Sequence, residues 1–260
     1  MKHTWSVTVV LLAIFLLAQV IGLFVTNHYL AKPELPLNIE RPQFEENTSF
    51  IYLFILIIIA TVIAFFLAKF DVEWVWKLWF FTSIVFCITV ALNAFMPQLF
   101  AFIFSLFFAF FKVVKRNLII HNIGELIIYG GLAAIFVPIL NIFSISVLLL
   151  IISLYDYIAV RKTEHMVKLA KFQAKIKIFA GVLVPYKKGA AILGGGDIGF
   201  PLLFTGVVMR SFGFKALIVS FFATLSLLFL FWMSEKKKFY PAMPFLSAGC
   251  FLGYAVLRLL

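Results

Sequence analysis

Leu193-Gly194-Gly195-Gly196-Asp197 sets a carboxylate directly after three glycines, in a chain otherwise dominated by apolar runs. A carboxylate in a hydrocarbon core costs roughly 2.5–3.5 kcal/mol even on lenient insertion scales, so it marks a functional site by default. The glycines strip side chains from the neighbouring backbone and let another chain come close. The partner to look for is a second buried acid on an adjoining helix.

Outward from that stretch, the 260 residues are 64% hydrophobic and 13% charged, with a mean hydropathy of +1.12. A soluble surface needs more charge than this, so a water-soluble domain is excluded. The fold class expected is all-α: one polytopic membrane domain over 1–260. The formal net charge of +11 comes from short basic runs between apolar segments. That placement suits membrane topology and anionic headgroups, not a nucleic-acid groove. Cys87 and Cys250 both fall inside apolar stretches, against a disulfide framework or a zinc site. The first apolar run begins like a signal peptide but is too long and lacks a clear cleavage site, so it reads as a retained span.

Nine spans can be drawn, each near the ~20 residues that cross a bilayer. They are Trp5–Thr26, Ser49–Ala68, Trp74–Asn93, Gln98–Val114, Leu118–Pro138, Asn141–Val160, Ala190–Met209, Ala216–Met233 and Pro241–Leu259. With the N-terminus on one face, seventeen Lys and Arg fall on that face and five on the other. The positive-inside rule then puts the N-terminus in the cytoplasm and the C-terminus outside. Domain organisation follows: spans one to six over 1–160, a cytoplasmic loop over 161–189, and spans seven to nine over 190–260. The first outside loop, Asn27–Thr48, is expected to be mostly irregular. In the inner loop, His165–Gln173 suits an interfacial amphipathic helix. Lys175–Val184 alternates and is β-branched, as a short strand would be.

Three of the eleven acidic residues fall within spans: Glu125, Asp156 and Asp197. Asp156 is near the inner end of the sixth span and Asp197 near the inner start of the seventh. At ~1.5 Å per residue, both lie roughly 7–10 Å deep. Two carboxylates at matching depth can share one proton, because low dielectric and mutual repulsion prevent both from ionising. Such a pair can activate water and protonate a leaving amine, which is peptide hydrolysis without a covalent intermediate. The residues alone leave a second reading open, a proton or cation pathway through a channel or transporter.

Tyr155-Asp156, then Gly194-x-Gly196-Asp197, then Pro241-Ala242-Met243 together resemble the presenilin and signal peptide peptidase family of intramembrane aspartyl proteases, most of all its microbial, archaeal-type members. The likeness is strongest from about Asn141 to Leu259. It implies that Asp156 and Asp197 are the catalytic pair and that Tyr155 lines the site. It also implies that Gly194 and Gly196 keep the seventh helix open, and that Pro241, Ala242 and Met243 pack against the acids. Met243 stands where the family has Leu, a volume-conserving change. Gly195 replaces a frequent bulky residue, which loosens the backbone and leaves substrate preference open. The resemblance further implies transmembrane-helix protein substrates, no cofactor or metal, and a multi-pass location in the cell membrane of a microbe. Association with a second copy is left open.

The other polar residues read as structural. His121 and Glu125, at i and i+4, can bond each other. Trp74, Trp76 and Trp79 read as interfacial anchors. The small pairs Gly195/Gly199 and Gly249/Gly253 suit close packing of the seventh and ninth spans. Lys175–Val184 is a candidate strand for pairing with an unwound substrate. A signal-peptide-peptidase type of inverted orientation remains an alternative; protease accessibility of the 161–189 loop separates the two.

Overall fold

In lipid an apolar chain must satisfy its backbone within each segment, and the helix does so. The computed structural model describes residues 4–32, 34–36, 39–40, 45–162, 173, 178–186, 189–235 and 240–260. Among these, the long helices are α1 (Trp5–Leu30), α2 (Ser49–Lys69), α3 (Glu73–Leu92), α4 (Gln98–Val113) and α5 (Leu118–Phe136). They continue with α6 (Ile142–Lys162), α7 (Gly195–Phe212), α8 (Leu217–Met233) and α9 (Met243–Leu259). Six helical stretches are long and apolar enough to cross a membrane, with Gly195–Met233 counted as one. Gln98–Val113 and Met243–Leu259 are apolar but shorter.

The first helix belongs to the core of the bundle. Leu11, Phe15, Ala18 and Leu23 are fully buried, and α1 packs on α5, α7 and α8 at the centre of the bundle. The α2 helix is the opposite case: Ile55, Ile59, Ile63 and Phe66 all stay exposed, a face fit for lipid. Of the three tryptophans expected at an interface, only Trp74 is well exposed; Trp76 is buried and Trp79 lines an internal cavity. Both cysteines are buried, unbridged thiols.

Two expectations need correction. The seventh helix does not begin at Ala190, because Gly189–Gly194 is a strand, β4, paired antiparallel with β3 (Gly181–Tyr186). Depth counted along a helix from Ala190 is therefore wrong; Asp197 sits in the first turn of α7. The Gly249/Gly253 pair faces α8, not α7. A Cβ on Gly253 would stand 2.7 Å from the Val219 Cα, and one on Gly249 2.8 Å from the Phe222 carbonyl oxygen. On the α7 side, nothing lies within 4 Å of where a Gly199 Cβ would be. Within the Asn27–Thr48 loop, Glu34–Leu35 pairs with Ile39–Glu40. Its end is latched to the bundle by Arg210 to Glu46 at 3.0 Å and Asn141 to Asn47 at 2.6 Å. The expected amphipathic helix at His165–Gln173 lies outside the described residues except for Gln173.

Gly253→Ala sets a methyl against helix backbone that cannot swing aside. It should lower stability by about 1–3 kcal/mol, as overpacking does. Melting in detergent measures this; an unchanged midpoint would mean that α8 and α9 separate freely.

Candidate active site

Asp197 is fixed by the way α7 starts. Gly194 is the N-cap, in extended conformation (φ −65°, ψ 148°), and Asp197 is the third helical residue. From there its carboxylate turns back and accepts a hydrogen bond from the Gly194 N–H, the acidic half of a capping box. A helix N-terminus also favours negative charge. Glycine leaves this room: a Cβ on Gly194 would lie 3.0 Å from Asp197 Oδ2 and press on the carboxylate.

Asp156 is fixed from another direction. The N–H of Met243 donates to Asp156 Oδ2 at 3.0 Å, and the Ala242 N–H bonds the same carboxylate. Ala242 caps α9 and Met243 opens it, so the acid takes up amides that a helix start leaves unpartnered. Pro244, in the first turn, has no N–H to strand. One turn along, Ser153 and Ser247 meet at 2.7 Å and tie α6 to α9 a second time. Thus Pro241-Ala242-Met243 reaches the acid by its backbone, which explains why Met243, itself buried, can replace another apolar side chain. The Asp156 carboxylate acts electrostatically on that of Asp197, so α6, α7 and α9 bring the two acids and the third motif into one neighbourhood. Tyr155, next to Asp156 on α6, is 38% exposed.

A mostly apolar cavity of about 530 Å³ lies beside this neighbourhood. Gly195, Gly196 and Gly199 of α7 form one wall, and α2, α3 and α5 supply much of the rest. Its polar margin went unforeseen. Lys112 is ion-paired with Glu125, Tyr129 donates its hydroxyl hydrogen to the same carboxylate, and both members of the pair are almost wholly buried. The available signal was Glu125 itself, an acid at depth that requires a cation. Tyr129 Oη would be 3.1 Å from a Cβ on Gly195, so the space of a larger residue there is already occupied.

The expected His121–Glu125 bond does not form. His121 Nε2 lies 2.8 Å from the Gly181 carbonyl oxygen. The neighbouring Asn122 bonds Leu183 twice, to its carbonyl at 2.8 Å and from its N–H at 3.0 Å. The outer edge of β3 is thereby closed by α5. Leu183 pairs in register with Ile192. Because Leu183 points its amide groups away from β4, Ile192 must point its own away from β3. The open edge is that of β4, and Ile192 is 54% exposed. Of the candidate strand Lys175–Val184, residues 181–184 do lie in a strand, β3, but one edge of it pairs with β4 and the other is met by His121 and Asn122.

A family profile described as signal-peptide peptidase, presenilin aspartyl protease matches residues 12–197. The match runs from within α1 through both acids, so it extends well before Asn141, and it stops before Pro241. Two solved structures are similar in fold. One, described as a presenilin family intramembrane aspartate protease in C222 space group, has a TM-score of 0.72 at 17% identity, covering 97% of this chain and 98% of that one. The other, described in the same words in P2 space group, has a TM-score of 0.69 at 18% identity, covering 96% of each chain. No curated protein matches the sequence.

Glu125→Gln leaves Lys112 charged and without its counter-ion in an apolar wall. Stability should fall by about 3–5 kcal/mol, as when a buried pair loses one member. The double change Lys112→Met with Glu125→Gln should recover much of that, measured by melting in detergent; no recovery would locate the damage elsewhere.

Proposed function

From a chain that belongs to the signal-peptide peptidase and presenilin aspartyl protease family, and so is a multi-pass membrane aspartic endopeptidase, we propose that Asp156 and Asp197 form the catalytic dyad and cleave transmembrane helices. The observation that carries this reading is the shared neighbourhood of the two carboxylates, each held by backbone N–H groups from a family motif. One acid is ionised and takes a proton from water as its oxygen attacks the peptide carbonyl. The other is neutral and protonates the carbonyl oxygen. Collapse of the tetrahedral diol then transfers a proton to the leaving nitrogen, and the C–N bond breaks. In this reading nine spans cross the membrane, the N-terminus and the 161–189 loop are cytoplasmic, and the C-terminus is outside. A cation pathway has less support, since the cavity beside the acids is mostly apolar.

A helical substrate hides its peptide groups and must unwind before attack. The outer edge of β4 is suited to hold the unwound segment as an added strand, because Ile192 points its main-chain groups away from β3 and the strand leads directly into Gly194–Asp197.

Asp156→Asn and Asp197→Asn should each reduce cleavage of a single-span reporter at least about a hundredfold, at the scale of a lost general acid or base. Wild-type activity should show a bell-shaped pH profile, falling where both acids are protonated and again where both are ionised. Wild-type turnover in either variant would refute the dyad.

Ile192→Pro removes an N–H that the hairpin does not use. It should lower cleavage about tenfold, the worth of one or two hydrogen bonds. Binding of a small transition-state mimic should persist. Equal cleavage would exclude this edge as the docking strand.

A further inference from the structure

Gln19 lies at the middle of α1 with no exposed surface. An amide there has no water to turn to, so its partners matter. Its Nε2 donates to the Ile198 carbonyl at 3.0 Å. Its Oε1 is 3.4 Å from Ser220 Oγ on α8, which is in turn 3.3 Å from Thr205 Oγ1. Thr205 donates to the Pro201 carbonyl at 2.9 Å.

The position of this chain of bonds is what gives it meaning. Pro201 lies inside α7 and has no N–H. The helical partner of that missing donor, four residues back, is the carbonyl of Asp197. The helix therefore lacks its own bond across the turn that bears the acid. Ile198, whose carbonyl Gln19 takes, is the very next residue. On the same face of α1, Gly22 lies directly against Leu202. Neighbouring helices thus grip α7 from outside at the turn where it cannot grip itself.

We infer that Gln19 is a positioning residue for Asp197, holding the proline-weakened first turns of α7 so that the carboxylate keeps its direction toward Asp156. The inference rests on the dyad proposed above. Gln19→Met keeps the side-chain length and removes the amide. Its kcat should fall about ten- to hundredfold with KM within about twofold, as displacement of a reacting group does. The amides of Gly199, Phe200, Leu202 and Leu203 should exchange faster with deuterium. Ser220→Ala should do the same more mildly. Pro201→Ala returns an N–H to the Asp197 carbonyl, and in that background Gln19→Met should cost clearly less in kcat. A kcat within twofold of wild type for Gln19→Met, or an equal loss in both backgrounds, overturns the inference. Asp197→Asn, run alongside, keeps the two claims apart. If it stays active the dyad fails and the catalytic half of this inference falls with it, while the exchange measurement still tests the clamp.

Discussion

Backbone amides at helix starts carry the charge of this site. Helix α7 opens with Gly194 donating to Asp197, and α9 opens with Ala242 and Met243 donating to Asp156. A bilayer interior offers a carboxylate no water, so its hydrogen bonds must come from protein. Helix N-termini have unpartnered N–H groups and a favourable dipole, and two of them meet here. The family motifs fit this arrangement. Glycine at 194 makes room for the acid that bonds it, and the proline at 244 follows the last amide in use.

The second constraint is the hairpin that precedes α7. It sets where the helix begins, and α5 fixes it. His121 and Asn122 close one edge of β3, and the same helix carries Glu125 and Tyr129 against the Gly195 turn. One face of α5 therefore bears on both the strand and the start of the acid-bearing helix. The ion pair of Glu125 with Lys112 makes that face neutral as a whole, which lets it border an apolar cavity. Flexible joints at the site, a glycine-rich turn and a proline inside a helix, are thus backed by rigid neighbours: α5 behind the hairpin and α1 behind Pro201.

Much was legible in the residues because the bilayer imposes strong rules. Long apolar runs had to be helices, and acids within them had to be costly and purposeful, so Asp156 and Asp197 stood out. The motif Pro241-Ala242-Met243 was legible too, though not the means by which it acts, since a backbone amide leaves no mark in composition. The missed features share one cause: each is a partnership between residues far apart in the chain. Lys112 carries no sign of its role because its acid is on the next helix, and Glu125 looks paired with His121 because i+4 spacing is visible where tertiary contact is not. The sequence reads Ala190–Gly194 as helix because an apolar run of that length does not announce its own period; pairing of Gly189–Gly194 with Gly181–Tyr186 decides it.

By itself the sequence determined a helical membrane protein with two acids near helix ends and the three motifs around them, because hydropathy, cost of charge and local spacing are properties of the chain alone. Tertiary structure alone decided which amides hold those acids, which strand edge stays open, and that Gln19 meets the turn after Asp197. Those depend on which helices become neighbours, and neighbours are chosen by packing across the whole bundle.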